Sequence, residues 1–309
     1  TGGPLSYINL DYVRETSFST GGFPVLYGDK LSSVLYINLR HGRNDRLGGK
    51  VTIAATQFGL NLEGPLSANS DFIFSARRSY LDFIFKAANF AFVPEYYDVL
   101  SKANFKIDEN NSISFLFISA FDKVRYFNET EEQRFDNSRI LGSDQTQYVS
   151  GFIYRHLFND GFIDVTLSRN FTDYDTQQRD SLLNPIFKNK SIEGENSLKA
   201  DFVLKLSNSS ELNIGGMIKS IKFESDILFP TFRTTFGDSL PLQSLSSSNR
   251  FIKLAVFSNY SFKLFNRMTV NIGLRGDYFG PLEKKFYISP RVSTSYQLNE
   301  LTALSLSAG

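Results

Sequence analysis

Residues 268–277 read MTVNIGLRGD, and every second residue is apolar or glycine. Met268, Val270, Ile272 and Leu274 fall on one face of an extended chain, whereas Arg275 and the other polar side chains fall on the opposite face. Successive side chains of a β-strand point to opposite faces of the sheet. The stretch therefore predicts a strand with one apolar and one polar face.

The same alternation recurs along most of the chain, for example in residues 97–107, 198–206, 212–218 and 252–264. From Gly48 onward we count about twelve such strands, many of them about 10 to 15 residues long, whereas strands of soluble sheets have about 5 or 6. Phe and Tyr are abundant, at 31 and 15 residues, although only 41% of the chain is hydrophobic. This combination favours an all-β chain whose apolar and polar residues alternate closely.

The predicted connections alternate in length. Short ones fall near residues 64–69, 108–111, 158–160, 208–210, 265–267 and 299–300, and long ones near 79–95, 128–142, 174–190, 225–248 and 278–286. Short turns at one end of long strands and long loops at the other are typical of an antiparallel outer-membrane β-barrel. A soluble β-sandwich also has alternating strands, and it would require the faces that bear Leu254 and Val270 to pack against a second sheet.

The length of the chain bears on the size of the barrel. Residues 48–309 supply about 22 residues for each strand with its connection, so a 22-stranded plugged transporter would need about 480. We therefore expect about 12 of a probable 22 strands here, with the chain truncated at both ends. A complete twelve-stranded barrel is the competing count, because even strand numbers are the rule.

Composition excludes several classes of function. With 33 basic and 32 acidic residues the net charge is +1, so no nucleic-acid partner is predicted. The chain has no cysteine and two histidines, His41 and His156. A Ser-His-Asp site and a histidine-rich metal site are therefore not expected. We predict no catalytic residue, no metal site and no cofactor, and hence a protein that is not an enzyme.

Residues 20–42, TGGFPVLYGDKLSSVLYINLRHG, form the most distinctive segment. A Walker phosphate loop has a glycine, then four residues of any type, then Gly-Lys-Ser/Thr. This segment does not have that spacing. The segment also leads into an alternating strand rather than a helix whose N-terminal amides could bind an anion. The pair Gly21-Gly22 before Pro24 indicates a tight turn.

This segment resembles the end of the plug domain of TonB-dependent outer-membrane receptors, especially the branch common in Bacteroidetes-type bacteria. The residues that carry the resemblance are Gly21, Gly22, Pro24, Tyr27, Gly28, Ser32 and Ser33, and their implied role is structural. Residues 9–14 and 74–81 also resemble segments of that family. Residues 36–38 depart from it, because relatives more often have an acidic residue and a β-branched pair there.

The resemblance implies a domain organisation and a function. Residues 1–47 would be the C-terminal part of a plug domain, and residues 48–309 the N-terminal portion of the transmembrane β-barrel. The protein would lie in the lipid of the bacterial outer membrane and import a scarce nutrient of the siderophore, cobalamin, glycan or peptide class. A TonB-type periplasmic protein would supply the energy, through a contact segment that these 309 residues do not contain. The alternative is a passive porin or structural barrel without energy coupling.

Four arginines are candidates for the junction between plug and barrel: Arg40, Arg43, Arg46 and Arg77. The first three lie between the motif and the first barrel strand, where charge pairs could release under force, although a solvated linker would have the same composition. Of Arg77 and Arg78, the alternation points one inward, and the outward one could anchor at the membrane interface. Residues 80–90 predict a short helix in a loop.

Overall fold

The computed structural model describes residues 8–30, 32–54, 57–79, 81–88, 90–240, 244–265 and 267–309. The residues that begin the predicted plug (1–7) and Leu31, which lies within the motif, fall outside this part. The strands are β1 Val13–Ser19, β2 Val34–Leu39, β3 Gly48–Ile53, β4 Gln57–Ser67, β5 Ser70–Ser79, β6 Phe92–Lys106, β7 Asn111–Tyr126, β8 Gly142–Phe158, β9 Gly161–Arg179, β10 Pro185–Ser207, β11 Ser210–Leu228, β12 Phe232–Arg233, β13 Ser239–Leu240, β14 Leu245–Leu264, β15 Met268–Phe279, β16 Phe286–Asn299 and β17 Thr302–Ala308. A 3-10 helix covers Leu10–Tyr12, and two α-helices, α1 Leu81–Ala87 and α2 Glu131–Ser138, lie in connections.

Thirteen of these strands form one antiparallel sheet, in which each strand pairs with the next in sequence from β3 to β11 and from β14 to β17. Strands β12 and β13 form a small separate hairpin between β11 and β14. The all-β fold class is confirmed, and the sheet has one strand more than the twelve predicted. Residues 8–47 contribute only the two-stranded sheet of β1 and β2, outside the large sheet.

The quoted stretch lies in β15, and its register agrees with the predicted alternation. Val256 of β14 lies opposite Gly276, and Phe257 lies opposite Arg275. On the outer face Val256 is 67% exposed and Leu274 55% exposed, and Leu254 is 41% exposed. No second sheet packs against this face in the described residues, so the β-sandwich alternative is wrong for this part of the chain.

The connections follow the predicted rhythm, with two corrections. The short turns are as expected, and the longer connections 80–91 and 127–141 contain α1 and α2. However, β9 continues to Arg179 and β10 begins at Pro185, so the long loop expected over residues 174–190 is wrong. The strands also reach 23 residues in β10, more than the alternation indicated. A strand continues for as long as its backbone hydrogen bonds to the neighbouring strand continue. Polar side chains on both faces therefore do not mark its end.

The sheet is curved around residues 8–30. Tyr12 contacts β4 and β5, whereas Phe23 contacts Arg291 of β16. A flat sheet would place β5 and β16 nine strand spacings, or about 43 Å, apart. Only eleven residues, with a turn at Gly22, separate Tyr12 from Phe23, which favours a sheet that curves toward the segment. Both contacts lie on the face that carries the polar side chains, so this face is concave and is the inner one.

Among the described residues, no helix is both long and apolar enough to cross a bilayer.

Candidate functional site at the inner face of the sheet

Residues 9–42 contact the inner face of the sheet in two places, and we call these the early contact and the late contact. The early contact joins residues 9–12 and 39–42 to strands β3 to β7. The late contact joins residues 22–29 to β11 and β14 to β17.

Hydrogen bonds to main-chain and side-chain oxygens position the early contact. Asn9 Nδ2 donates to Asn61 Oδ1 at 2.8 Å and to Ser75 Oγ at 2.7 Å. The Tyr12 hydroxyl lies 3.0 Å from the carbonyl oxygen of Leu62 and 2.9 Å from that of Phe74. Burial, followed by the nearby charge of Glu63, raises the pKa of Tyr12 to about 12, so its hydroxyl stays protonated as a donor.

A small apolar cluster lies beneath these polar contacts. Tyr12 and Leu39 from the N-terminal segment pack with Ile73, Leu100 and Ile118 from the wall, and all five are buried. Full burial of an aliphatic side chain stabilises by about 1.5–3 kcal/mol. The cluster therefore adds a small apolar contribution to the mainly polar attachment of residues 9–39 to the wall.

Charges complete the early contact. Lys50 Nζ lies 2.8 Å from a carboxylate oxygen of Asp11, and Lys102 Nζ donates to the carbonyl oxygen of Leu39 at 2.8 Å. Asp71 of β5 accepts a hydrogen bond from the amide of Gly42 at 2.7 Å and contacts His41 Nδ1 at 3.1 Å.

The four predicted junction arginines have different surroundings. Arg40 spans segment and wall, because it pairs with Glu63 of β4, donates to the carbonyl of Asp11 and lies over the Tyr12 ring. Arg43 and Arg46 both pair with Asp45 inside the linker.

Arg77 points inward, as the alternation required, and pairs with Asp98 of the neighbouring strand at 2.9 Å. This ion pair lies within the wall, between β5 and β6. Arg78 points to the other face and lies over the Tyr97 ring. The structure thus joins Arg40 to the wall through Glu63, whereas Arg43, Arg46 and Arg77 form ion pairs with nearby residues.

The late contact is built mainly from two wall arginines and the carbonyl groups of the glycine-rich motif. Arg291 Nη1 lies within hydrogen-bond distance of the carbonyl oxygens of Phe23, Pro24 and Tyr27, at 3.3, 3.1 and 2.9 Å, and its guanidinium lies over the Phe23 ring. A guanidinium carries several donors in one plane, so it can serve several carbonyl groups of a turn at once. The Pro24 carbonyl also accepts a hydrogen bond from the Tyr27 amide at 3.1 Å.

Arg275, the arginine of the quoted stretch, is 1% exposed. Its Nη1 donates to the carbonyl oxygen of Val25 at 3.1 Å, and its Nε and Nη2 donate to Asp277 at 2.9 Å. The Asp277 carboxylate therefore balances a cation that is buried beneath the motif.

An ion cluster ends the late contact. The Asp29 carboxylate pairs with Lys253 of β14 and lies 3.6 Å from Lys219 of β11, which also pairs with Glu195 at 3.0 Å. Burial by itself would raise the pKa of Asp29, but the hydrogen bond from Lys253 and the charges of Lys253, Lys219 and Arg275 hold that pKa below its usual value. Asp29 is consequently ionised at neutral pH.

The motif residues have different local requirements. Gly22 has a φ of +61°, and a side chain on Gly28 would collide with the Arg275 guanidinium. Gly21 has open space around it, and Pro24 and Tyr27 supply carbonyl groups to Arg291. Ser32 and Ser33 lead into β2. The tight turn expected at the glycine pair thus has one left-handed residue, Gly22.

Sequence reasoning missed five residues of the late contact: Asp29, Lys219, Lys253, Arg275 and Arg291. Four of them lie on the polar face of an alternating strand. The alternation predicted that this face is polar, but it did not predict which residues contact it. The described residues contain no group of three or more His, Cys, Asp or Glu that could hold a metal ion. The early and the late contact hold residues 9–42 against the wall mainly through polar groups, and water molecules could replace these hydrogen bonds.

No known family model matches the sequence, and no curated protein matches it. Several solved structures are similar to the chain. A point variant of the ferric enterobactin receptor PfeA from Pseudomonas aeruginosa superposes with a TM-score of 0.72 at 14% identity, over 99% of this chain and 49% of that one. The siderophore receptor PirA from Acinetobacter baumannii gives 0.69 at 11% identity, over 95% and 47%. The copper transporter OprC gives 0.68 at 12% identity, over 97% and 50%.

The chain has the fold of these receptors. It spans about half the length of the solved structures it matches. At such low identity the likeness shows the fold alone, and the ligands in those names belong to those proteins.

Proposed function

We propose that this chain is part of a TonB-dependent outer-membrane receptor that imports a scarce nutrient into a bacterium. Residues 1–47 would be the end of the plug domain, and residues 48–309 the first part of the barrel wall. The observation that carries the proposal is the seating of residues 9–42 on the concave polar face, through both the early and the late contact. An ordinary barrel strand or an external tail would not occupy that face.

The membrane location rests on the outer face of the sheet. Leu62, Phe152, Leu167, Ile214 and Val256 project from successive parts of that face and are 38–67% exposed. Contiguous exposed apolar surface of this extent marks contact with lipid or with a partner. Together with strands of up to 23 residues and short turns at one end, it favours the outer-membrane lipid as the surroundings of this face.

Energy coupling follows from the nature of the contacts. Carbonyl–guanidinium bonds and carboxylate–ammonium pairs at the late contact can be replaced by bonds to water, so pulling the segment away does not expose a large apolar core. A passive porin has no need of a segment held in this way. The periplasmic TonB-type protein remains a proposed partner on the strength of the motif resemblance, as does the Bacteroidetes-type branch.

The nutrient belongs to the siderophore, cobalamin, glycan or peptide classes that the resemblance implies. Fold-level likeness does not select among them, because function in shared folds is set by individual sites. Solved neighbours named for ferric enterobactin, for siderophores and for copper make metal-bearing ligands the first class to test.

Uptake in a deletion strain tests the proposal. A strain lacking the full-length gene is compared with the parent and with a complemented strain under iron, cobalamin and glycan limitation, each with and without an uncoupler of the proton gradient. We expect a growth and uptake defect under one limitation, restored by the intact gene, and saturable uptake that the uncoupler abolishes.

Two results would contradict the proposal. Uptake that depends on the gene but is linear with concentration and insensitive to the uncoupler would favour the passive porin. Unchanged growth and uptake under all three limitations would exclude an importer of siderophores, cobalamin or glycans.

A further inference from the structure

The first part of β14 has a backbone edge without a neighbouring strand. β14 pairs with β11 from Leu245 onward. Its pairing with β15 begins only at Lys253, because β15 ends at Phe279 and residues 280–285 lead back into β16. In the part of the chain that the structure describes, residues 245–251 therefore have a neighbouring strand on one side only. We call this stretch the free edge.

The backbone groups that face outward from the free edge belong to particular residues. The Gly280 amide donates to the carbonyl oxygen of Ile252 at 3.5 Å, so the backbone of Ile252 faces the side of β15. Every second residue of an antiparallel strand directs its amide and carbonyl to the same side. Ser248 and Arg250 consequently direct theirs along the free edge, where no described strand pairs with them. Such a row of unpaired groups is a template for an added strand.

A cleft of about 1040 Å³ adjoins the free edge. Its apolar side chains lie on both faces of the sheet, with Ile221, Phe223 and Phe251 on the inner face and Ile252 and Tyr278 on the outer face. Side chains of an added strand would point alternately to these two faces. Peptide recognition by strand addition uses this combination, because the backbone supplies affinity and the clefts for side chains supply specificity.

The free edge lies beyond the apolar band of the outer face. Leu254 and Ile252 are the last outward residues of that band on β14, and the next outward residues are Arg250 and Ser248, both exposed. A charge on the outer face is costly within the hydrocarbon and inexpensive near the interface. We therefore place the free edge in the water outside the lipid, where a dissolved peptide can reach it.

The charges around the free edge differ between the two faces. On the outer face, Arg250 has no carboxylate oxygen within 4 Å among the described residues, whereas Lys222 opposite it pairs with Glu224 at 2.8 Å. On the inner face, the cleft is lined by the carboxylate of Glu193. This distribution favours an acidic side chain on the outer face of an added strand and uncharged side chains on its inner face.

We propose that the free edge of β14 binds a short extended peptide from the surrounding water. The peptide would continue the line of β15, pair antiparallel with β14, direct an acidic side chain toward Arg250 and direct apolar side chains toward Phe223 and Phe251. About seven residues would cover the edge, at about 3.4 Å each. Binding of this kind does not depend on import, because a receptor can hold a peptide at its surface whether or not it transports it.

Fluorescence anisotropy with the purified full-length receptor in detergent tests the proposal. The probe is a labelled peptide with blocked termini, Thr-Val-Thr-Phe-Asp-Val-Thr, whose polar and apolar side chains fall on opposite faces of a strand. One comparison peptide is N-methylated at the third and fifth residues, whose amides would bond to β14. The other is N-methylated at the second and sixth residues, whose amides would point away from β14.

We expect the first methylated peptide to bind about tenfold more weakly than the probe, because two hydrogen bonds are lost, and the second to bind within about threefold of it. Equal affinities of the two methylated peptides would overturn strand addition. No binding of the probe would overturn the whole proposal.

A charge exchange tests the role of Arg250. Arg250→Glu should weaken binding of the probe by about threefold and strengthen, by a similar factor, binding of a peptide with lysine in place of aspartate. Lys188→Glu is the matched control, since Lys188 is exposed on the outer face of β10, two strands away, and the substitution changes the net charge equally. Equal effects of the two variants would place binding elsewhere.

A proline on the free edge tests the backbone contact. Ser248→Pro removes an amide that faces the free edge and leaves the hydrogen bonds to β11 in place, so we expect it to abolish probe binding without changing the thermal unfolding midpoint. Probe binding that survives in this variant would overturn strand addition. A dimer of the receptor that the proline converts into a monomer would assign the edge to a second copy instead. Because these assays use purified protein, their failure is distinguishable from a failure of uptake in the deletion strain.

Discussion

Arg275 links the barrel wall to the glycine-rich motif from a fully buried position. Its guanidinium is buried, is balanced by Asp277 and donates to the carbonyl oxygen of Val25. A buried cation of this kind stabilises only while all its partners are present, and removal of one partner leaves the others desolvated and unpaired.

We expect Arg275→Ala to lower the free energy of unfolding by roughly 3 kcal/mol, since Asp277 would lose its counter-charge. The amides of residues 22–28 should also exchange faster with solvent. Denaturant unfolding and hydrogen exchange of the full-length protein in detergent measure the two effects. Arg267→Ala, at an exposed position in a turn, is the control. Equal losses in the two variants would mean that Arg275 has no special role.

Asp29 gives the late contact a defined dependence on pH. A carboxyl whose pKa is lowered in the folded state contributes stability above its unfolded pKa of about 3.9 and loses it as the pH falls through the folded pKa. We therefore expect residues 20–29 to stay attached at pH 5 and to loosen only below about pH 4.

A spin label at Gly21→Cys reports this change, because position 21 has open space and the 309 residues contain no other cysteine. Asp29→Asn should make the label more mobile already at pH 7, with no further change in the acid range. Two results would show that another group controls the attachment. One is a change in label mobility at a pH above the usual carboxyl pKa when Asp29 is present, and the other is the same pH-dependent change in the Asp29→Asn variant.

At the scale of the strand, the two faces of β14 and its neighbours have opposite surroundings. Val256 projects outward and is 67% exposed, whereas Asn170 of β9 lies on the inner face. If the outer face meets lipid, a charge is costly there and inexpensive on the inner face.

We expect Val256→Arg to destabilise the full-length protein in bilayers by about 2–4 kcal/mol, and Asn170→Arg by less than about 1 kcal/mol. Urea titration of both variants in the same lipid provides the measurement. Similar losses for the two would indicate that water contacts both faces, contrary to the proposed membrane location.

For the whole molecule, the central question is whether residues 22–28 move during transport. A Cβ on Gly273 would lie 2.5 Å from Val25 Cγ1, so a Val25→Cys/Gly273→Cys pair is placed for a disulfide between motif and wall. We expect the oxidised pair to bind the nutrient identified in the deletion strain but not to import it, and reduction to restore import.

The Val25→Cys variant alone serves as the control for this experiment, and it should transport under both oxidising and reducing conditions. Full transport by the cross-linked receptor would show that the late contact stays intact while the nutrient passes. In that case residues 22–28 would be a permanent part of the wall lining.

Much of the fold could be predicted from the amino-acid sequence. The alternation in residues 268–277 identifies β15 and its two faces, because the direction of a side chain in a strand follows from backbone geometry alone. The expected long loop at residues 174–190 was wrong for the same reason, since alternation shows which face a side chain takes and not where the backbone ladder stops. Arg77 and Arg78 were assigned opposite faces correctly, but the partner of Arg77 was not predictable.

The site itself depended on the tertiary structure. Val25 and Arg275 are 250 residues apart, and nothing local to either indicates the other. Only the curvature of the sheet brings β14 to β16 round to the turn at Gly22, so that a polar face becomes a set of donors for particular carbonyl groups. The residues in order determine which side chains face inward, whereas the closing of the wall around residues 8–30 decides which of them lie close enough to bond, since hydrogen bonds and ion pairs act only over a few ångströms.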